Sequence, residues 1–158
     1  MSESLQIYLH DHLAGSNFAM ELLKSLCEQK NNDGLAGFAA SLLVDIQADA
    51  DLLRGIIEQV GKIHLDVKEA VAWLAEKASR FKLQRESPGG LGTFEDLEAL
   101  SLGIIGKLAL WRVLPVIGEL DARVPTMDFD TLAAKAHDHY ARVEEYRLRI
   151  ARSAFRTS

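Results

Sequence analysis

Ionisable side chains lie inside the apolar stripes of three segments with helical periodicity. At about 100° of rotation per residue, Asp49 falls within the arc of Leu42, Ile46, Leu53, Ile56 and Val60. His12 and Arg147 lie within the corresponding stripes of residues 4–29 and 130–156. Carboxylates and imidazoles can bind metal ions or transfer protons, whereas opposite charges inside a protein can also neutralise one another. The pattern predicts one of these two kinds of polar layer.

The helical spacing also predicts which residues share this layer. In residues 93–121, Arg112 falls within the apolar stripe and Lys107 on its shoulder, while Glu144 flanks Arg147 on the last segment. The predicted buried polar network consists of His12, Asp49, Lys107, Arg112, Glu144 and Arg147. We expect it near the middle of the helices.

Distances counted from the turns predict partners within the layer. Counting outward from Asn32 places His12 and Asp49 at similar heights, and counting from Pro125 places Lys107 close to Glu144. We therefore expect contacts between the members of each pair.

Iron or manganese is the alternative occupant of the layer. The candidate ligands are His12, Asp49, Glu98 and Glu144, with His137 as another nitrogen donor. The cationic side chains of Lys107, Arg112 and Arg147 would repel a bound metal ion. Mutual neutralisation without a cofactor is therefore the leading interpretation, and a metal site is the second.

Five segments carry helical periodicity, and no run of strand-like alternation is evident. They are residues 4–29, 34–61, 66–84, 93–121 and 130–156. Short connections predict two antiparallel hairpins, one from the first two segments and one from the last two. The shorter helix 66–84 can recross the bundle, so that the second and fourth segments run parallel. The predicted fold is one all-α domain over residues 1–158.

Two sequence stretches suggest a family. His10-Asp-His-Leu-Ala-Gly15 and Gly106-Lys-Leu-Ala-Leu-Trp-Arg112, together with the long helices, resemble uncharacterised bacterial proteins of the ferritin-like superfamily. The resemblance implies a ferritin-like antiparallel four-helix bundle with an additional shorter crossover helix, and it attaches no established activity. Metal-binding members carry Glu-x-x-His motifs. This sequence contains none, which puts a di-metal centre in doubt.

Composition limits the classes of partner. The net charge is −5, and the Lys and Arg residues form no basic cluster in the sequence, so nucleic-acid binding is not expected. Cys27 is the single cysteine, which excludes an intrachain disulfide and is typical of a reducing compartment. The N-terminus lacks signal-peptide features, and charged residues interrupt the apolar run 97–120. We expect a cytoplasmic protein that does not span a membrane.

The segment 93–121 is apolar almost all round, which predicts burial on both sides. Either the helix 66–84 covers its second side, through Trp73, Leu74 and Phe81, or a second copy does so in a homodimer. The expected function is accordingly a structural or protein-interaction role as a homo-oligomer. A metal-binding bundle with oxidoreductase or metal-storage activity is the alternative, and enzymatic activity is not the leading expectation.

Several glycines and histidines also lie at positions that predict their surroundings. Gly15, Gly103 and Gly106 are unfavourable in helix interiors, and close helix crossings would explain them. A third hypothesis is a ligand-binding bundle with an enclosed pocket lined by these glycines and Trp111. The histidines expected to face solvent are His10, His64 and His139.

Overall fold

The computed structural model describes residues 3–29, 34–62, 72 and 90–157, and the regular structure within these ranges is helical. The four long helices are α1 (Glu3–Cys27), α2 (Leu35–Val60), α3 (Leu91–Leu120) and α4 (Phe129–Ala154). No strand occurs in this part of the chain. The predicted all-α class is confirmed, and the predicted helix 66–84 lies outside the described residues.

The four helices form two antiparallel hairpins. Arg54 of α2 donates a hydrogen bond to Asn17 of α1 at 3.2 Å, and Gly61 at the end of α2 approaches Gln6 near the start of α1. In the second hairpin, Ser101 of α3 reaches Glu144 of α4. The stacked rings of Trp111 and Phe129 lie nearer its loop, with centroids 6.2 Å apart.

The two hairpins share a core whose composition reveals the direction of each helix. One apolar cluster contains Leu5 from the start of α1, Val60 from the end of α2, Leu114 from the last turns of α3 and Phe129 from the start of α4. Helices α2 and α3 therefore end at the same end of the bundle and run parallel.

Buried ionisable residues separate this cluster from a second apolar cluster. Asp49, Lys107 and His139 each lie between a residue of one cluster and a residue of the other on their own helix. These flanking pairs are Ile46 and Leu53 on α2, Ile104 and Leu110 on α3, and Val143 and Ala136 on α4. The helices thus bring three ionisable side chains to one level in the middle of the bundle.

Helix α3 buries one side and exposes the other. Leu97, Leu100, Ile104 and Leu114 are buried, whereas Leu102 and Leu120 are 66% and 86% exposed. A single chain therefore leaves these outward residues uncovered, and burial of this side by a second copy stays a prediction. Among the described residues, α3 alone is long and apolar enough to cross a membrane by length and composition. Buried helices of soluble proteins meet the same criterion.

Candidate functional site

A group of five ionisable residues occupies the level between the two apolar clusters. We call it the mid-bundle cluster; it consists of Asp45, Asp49, Lys107, Lys135 and His139. At its centre, Lys107 Nζ donates to Asp49 Oδ2 at 2.6 Å, with the two side chains 9% and 4% exposed. An ion pair this well shielded from water carries a large desolvation cost that only good geometry offsets.

His139 continues the cluster and is held in one protonation state. Its Nδ1 lies 3.3 Å from Lys107 Nζ, and its Nε2 lies 3.1 Å from Asp45 Oδ2. Because an ammonium group can only donate, Nδ1 must be the acceptor and Nε2 must carry the proton that Asp45 accepts. Burial, and then the charge of Lys107, lowers the pKa of His139. The imidazole is therefore neutral in the folded protein near pH 7.

Lys135 closes the solvent side of the cluster. Its Nζ lies 3.9 Å from Asp45 Oδ1 and 3.8 Å from Asp49 Oδ1, and its side chain is 38% exposed.

The charges within the cluster balance one another. Burial lowers the pKa of Lys107, while the attraction of Lys107 to Asp49 acts in the opposite direction. Two carboxylates and two ammonium groups around a neutral imidazole make the cluster neutral overall, as expected of buried charges.

A second polar cluster joins α3 and α4 nearer the end of the bundle where α3 begins and α4 ends. Glu144 accepts hydrogen bonds from Ser101 Oγ at 2.7 Å and from Arg147 Nε at 2.6 Å. Arg147 also reaches Glu98 at 3.3 Å, and its guanidinium lies over the ring of Phe94. Hydrogen bonding to Arg147 is the largest cause of the lowered pKa of Glu144. Ser101 is buried, whereas Glu144 and Arg147 are partly exposed, so this cluster lies at the edge of the core.

The single polar layer predicted from the sequence is two separate clusters in the structure, and some of its residues have partners other than those predicted. The expected contact between Lys107 and Glu144 is wrong, because Lys107 meets Asp49 and His139 instead. The predicted exposure of His139 is also wrong, since it is 1% exposed. Its signal in the sequence is its spacing from Lys135 and Val143, which places all three within reach of the same face of α4.

Arg112 is exposed rather than part of the network. It lies five positions after Lys107, and at about 100° per residue this places the two side chains far apart around α3. Because α3 is apolar almost all round, its sequence does not define which face is inward. The prediction that Arg112 is buried is wrong for this reason.

The four candidate metal ligands do not converge. Asp49 belongs to the mid-bundle cluster, Glu98 and Glu144 belong to the second cluster, and His12 lies apart from both. No group of three His, Cys, Asp or Glu side chains suited to a metal ion occurs within residues 3–29, 34–62 and 90–157. His137 is exposed and takes no part in either cluster. The arrangement of these donors does not fit a di-metal centre.

His12 lines a cavity beside the mid-bundle cluster. This cavity has a volume of about 520 Å³, opens to solvent, and lies between α1 and α3 with α2 at its back. Asp49 and Lys107 also line it, but no hydrogen bond or ion pair joins His12 to Asp49 in the described structure. The ring of His12 instead packs edge-on against Tyr8, with centroids 4.6 Å apart. Burial lowers the pKa of His12, which Asp11 partly opposes.

Three glycines create the space for this cavity. Gly15 on α1 and Gly103 and Gly106 on α3 line it, and a Cβ added to any of them would meet no atom within 4 Å. Close helix crossings therefore do not explain these glycines. Trp111 also lines the cavity. The structure thus brings together the predicted pocket residues, in a cavity that is open on one side rather than enclosed.

Comparisons with known proteins do not assign a function to these sites. No protein-family model matches this chain, and no curated protein or solved structure matches it either.

Proposed function

We propose that this chain is a cytoplasmic ferritin-like bundle without a di-metal centre, with a structural or protein-interaction role as a homodimer. The observation that carries the proposal is the ion pair between Lys107 and Asp49 in the middle of the core. The di-iron and di-manganese centres of ferritin-like bundles are held by several carboxylates from the facing helices. Here an ammonium group already neutralises the buried carboxylate of Asp49, and Lys135 lies beside its other oxygen.

The direction of the helices supports a ferritin-like arrangement. Helices α2 and α3 run parallel, and each forms an antiparallel hairpin with its own neighbour. Bundles of the ferritin-like class have two hairpins joined by one long crossover connection. Residues 63–89 supply a connection between α2 and α3 that is long enough for this role.

The exposed side of α3 supports self-association. We call it the outer α3 face; it consists of Leu102, Ile105, Ala109, Val113, Val116 and Leu120. Leu102, Ile105 and Val116 are 66%, 45% and 56% exposed. Arg112 and Glu119 lie beside this face rather than within it, so its apolar strip is continuous over several turns. A second copy offers a face with the same apolar character, as a twofold symmetric interface requires.

Two measurements test the proposal. Light scattering after size-exclusion chromatography should give the mass of a dimer, and the double variant Ile105→Asp with Val116→Asp should be a monomer. Val44→Asp is the matched control, because Val44 is 69% exposed on α2 and away from this face. A wild-type monomer at high concentration would contradict the homodimer.

Metal analysis tests the other part of the proposal. Protein purified without chelator, and again after addition of iron or manganese, should contain far less than one metal ion per chain. Near-stoichiometric metal that is lost on replacing Asp49 or Glu144 with Ala would instead establish the metal-binding alternative.

A further inference from the structure

Lys107, His139 and Asp45 form a chain of hydrogen bonds across the mid-bundle cluster. Lys107 Nζ lies 3.3 Å from the acceptor Nδ1 of His139, and the Nε2–H of His139 donates to Asp45 Oδ2 at 3.1 Å. His139 is 1% exposed, so the packed helices hold its ring between these two partners. A nucleophile beside a base that a third group orients is the arrangement that activates nucleophilic side chains. The chain therefore gives the amine of Lys107 an internal acceptor for its proton.

Lys107 also lines the cavity between α1 and α3, which opens to solvent. Asp49, the ion-pair partner of Lys107, lines the same cavity. Because the side chain of Asp49 is short, the cavity extends to the neighbourhood of the ion pair. His139 does not line the cavity and meets the amine from within the core. A small molecule in the cavity and the base thus approach the amine from different sides.

The charges at Lys107 suit a covalent product that keeps its positive charge. Burial lowers the pKa of Lys107, although attraction to Asp49 opposes the shift, so the amine loses its proton more readily than burial-free lysines do. An amine and an aldehyde form an imine, which becomes a cationic iminium when it is protonated. Asp49, which lies 2.6 Å from the ammonium, would neutralise the iminium in the same way. The product therefore leaves no unpaired charge in the core.

The lining of the cavity favours an uncharged, apolar aldehyde. Among the described residues that line it, Lys107 is the cationic side chain with a fixed charge, and Asp49 already neutralises it. Asp11 is exposed at the cavity and would repel an anion. The volume of about 520 Å³ is in the range of sites that hold small organic molecules. Aliphatic side chains supply the apolar lining: Ile46, Leu53, Ile104 and Leu110.

We infer that Lys107 forms a Schiff base with an uncharged, apolar aldehyde in this cavity, with His139 as the base and Asp45 as the residue that positions it. The neutral Nζ attacks the carbonyl carbon, so that a C–N bond forms and the C–O bond breaks. The nitrogen loses two protons through His139 to solvent at Asp45, which is 35% exposed. The carbonyl oxygen gains two protons from solvent in the cavity and leaves as water. An ammonium is thereby exchanged for an iminium of the same charge.

This reaction goes beyond the proposed function, because it needs neither a metal ion nor a second copy of the chain. The test uses benzaldehyde with sodium cyanoborohydride, which reduces the iminium to a stable benzylamine, and peptide mapping by mass spectrometry locates the benzyl group. We expect Lys107 to be labelled at least about tenfold faster than Lys24, whose side chain is 57% exposed. If Lys107 served only in a structural ion pair, its burial would make it the slower of the two.

Arginine variants confirm the assignment of the label. Lys107→Arg keeps a cation for Asp49 but has no amine that forms an imine, so rapid labelling should be lost. Lys24→Arg is the matched control, and rapid labelling of Lys107 should remain. Circular dichroism should show the same helical content for both variants.

Leucine variants test the route through the cavity. Gly106 lines it, and an added Cβ would meet no atom within 4 Å, so the side chain in Gly106→Leu occupies part of the space. Labelling of Lys107 should slow by about tenfold or more, and Gly103→Leu provides a second variant if the first does not fold. Gly55→Leu is the matched control, because Gly55 has equally open surroundings and does not line the cavity. Its labelling rate should stay within about twofold of wild type.

His139→Gln separates a base from a structural residue. Glutamine keeps a donor towards Asp45 and an acceptor towards Lys107 but cannot take up a proton. The rate of imine formation should fall by about a hundredfold, while the extent at equilibrium, measured by absorbance without the reductant, should stay within about threefold. A base accelerates both directions equally, so an unchanged rate, or an equal change in rate and extent, would overturn the role of His139.

Two results would overturn the inference as a whole. One is slower labelling of Lys107 than of Lys24 in the wild-type protein. The other is equal labelling of Lys107 in the wild type and in a folded Gly106→Leu or Gly103→Leu, since the aldehyde would then reach the amine by another route.

Discussion

Lys107 of α3 forms an ion pair with Asp49 of α2, and both side chains line the cavity between α1 and α3. The pair joins the two parallel helices of the bundle at the level between its two apolar clusters. Each charge is tolerated there because the other is present. Its main structural consequence is to fix the axial position of α2 relative to α3.

Removing one partner of this pair should strongly destabilise the fold. In Lys107→Met, the carboxylate of Asp49 stays buried with Lys135 as its nearest cation at 3.8 Å. We expect the free energy of unfolding, measured with urea, to fall by about 3–5 kcal/mol. The double variant Lys107→Met with Asp49→Leu should recover much of this loss, because it leaves no unpaired charge.

The control for this experiment is an ion pair at the surface. Asp51 accepts from Arg54 at 2.7 Å, with side chains 63% and 40% exposed. Asp51→Asn should change the free energy of unfolding by less than about 1 kcal/mol. If Lys107→Met cost as little as this, the Lys107–Asp49 pair would not be a buried structural interaction.

The sequence was sufficient to predict the four long helices and the inward position of Asp49. Helix α2 has an apolar side and a polar side, so the phase of its stripe is defined, and Asp49 is 3% exposed. Helix α3 has no such contrast, and Arg112 was therefore assigned to the wrong face. A helical wheel can orient a helix only when its sides differ in polarity.

The predicted contacts between helices depended on the axial register of one helix against the next, which the sequence does not define. Counting from Pro125 paired Lys107 with Glu144, whereas Lys107 meets His139, five positions earlier on α4. The contacts between Lys107 and His139 and between Ser101 and Glu144 are symmetric about residues 122–123 rather than about Pro125. The midpoint of the loop between Leu120 and Phe129 differs from Pro125 by less than one residue, so the loop position alone does not give this register. Hydrogen bonds are short-range, so an error of one turn replaces every partner.

Acid should destabilise the protein through His139. Its folded-state pKa is lowered, so the unfolded chain binds more protons as the pH falls through the ordinary histidine value of 6.5. The stability that the neutral imidazole contributes is present above pH 6.5 and is lost as the pH falls towards the folded-state pKa. We expect a slope of up to about 1.4 kcal/mol per pH unit from this one group in urea titrations between pH 5 and 6.5.

A glutamine variant separates this effect from other titrations. His139→Gln keeps a donor towards Asp45 and an acceptor towards Lys107 but cannot titrate, so the slope should be smaller. His12 also has a lowered pKa and contributes in the same pH range, so His12→Gln should reduce the slope as well. Glu144 contributes only below its ordinary value of 4.5. An unchanged slope in the double variant would contradict the neutral state of both imidazoles.

Glycine substitutions should distinguish open space from tight packing. Gly106 lies in a helix interior with no atom within 4 Å of an added Cβ. Gly106→Ala should therefore raise the free energy of unfolding by about 1 kcal/mol, because alanine favours the helix. Gly61 has a φ of +106°, and an added Cβ would lie 3.0 Å from Gln6 Nε2. Gly61→Ala should be destabilising, and thermal unfolding of both variants checks the contrast.

Arg112 and Arg147 should differ in their contribution to stability. The side chain of Arg147 is 22% exposed, and it binds Glu144 through two nitrogens while reaching Glu98. Arg147→Ala would remove these charge-assisted bonds and leave Glu144 with the hydroxyl of Ser101. We expect a loss of about 1–2 kcal/mol in urea unfolding, reduced from the value for a fully buried pair by partial solvent exposure.

Arg112→Ala should change the free energy of unfolding by less than about 0.5 kcal/mol, because Arg112 is exposed and makes no ion pair in the described structure. The two variants remove the same side chain from neighbouring helices, so a difference in helix propensity does not explain a contrast between them. If Arg112→Ala were the more destabilising change, α3 would have to be rotated so that Arg112 faces the core. Lys107 would then turn away from Asp49, and the mid-bundle cluster could not form.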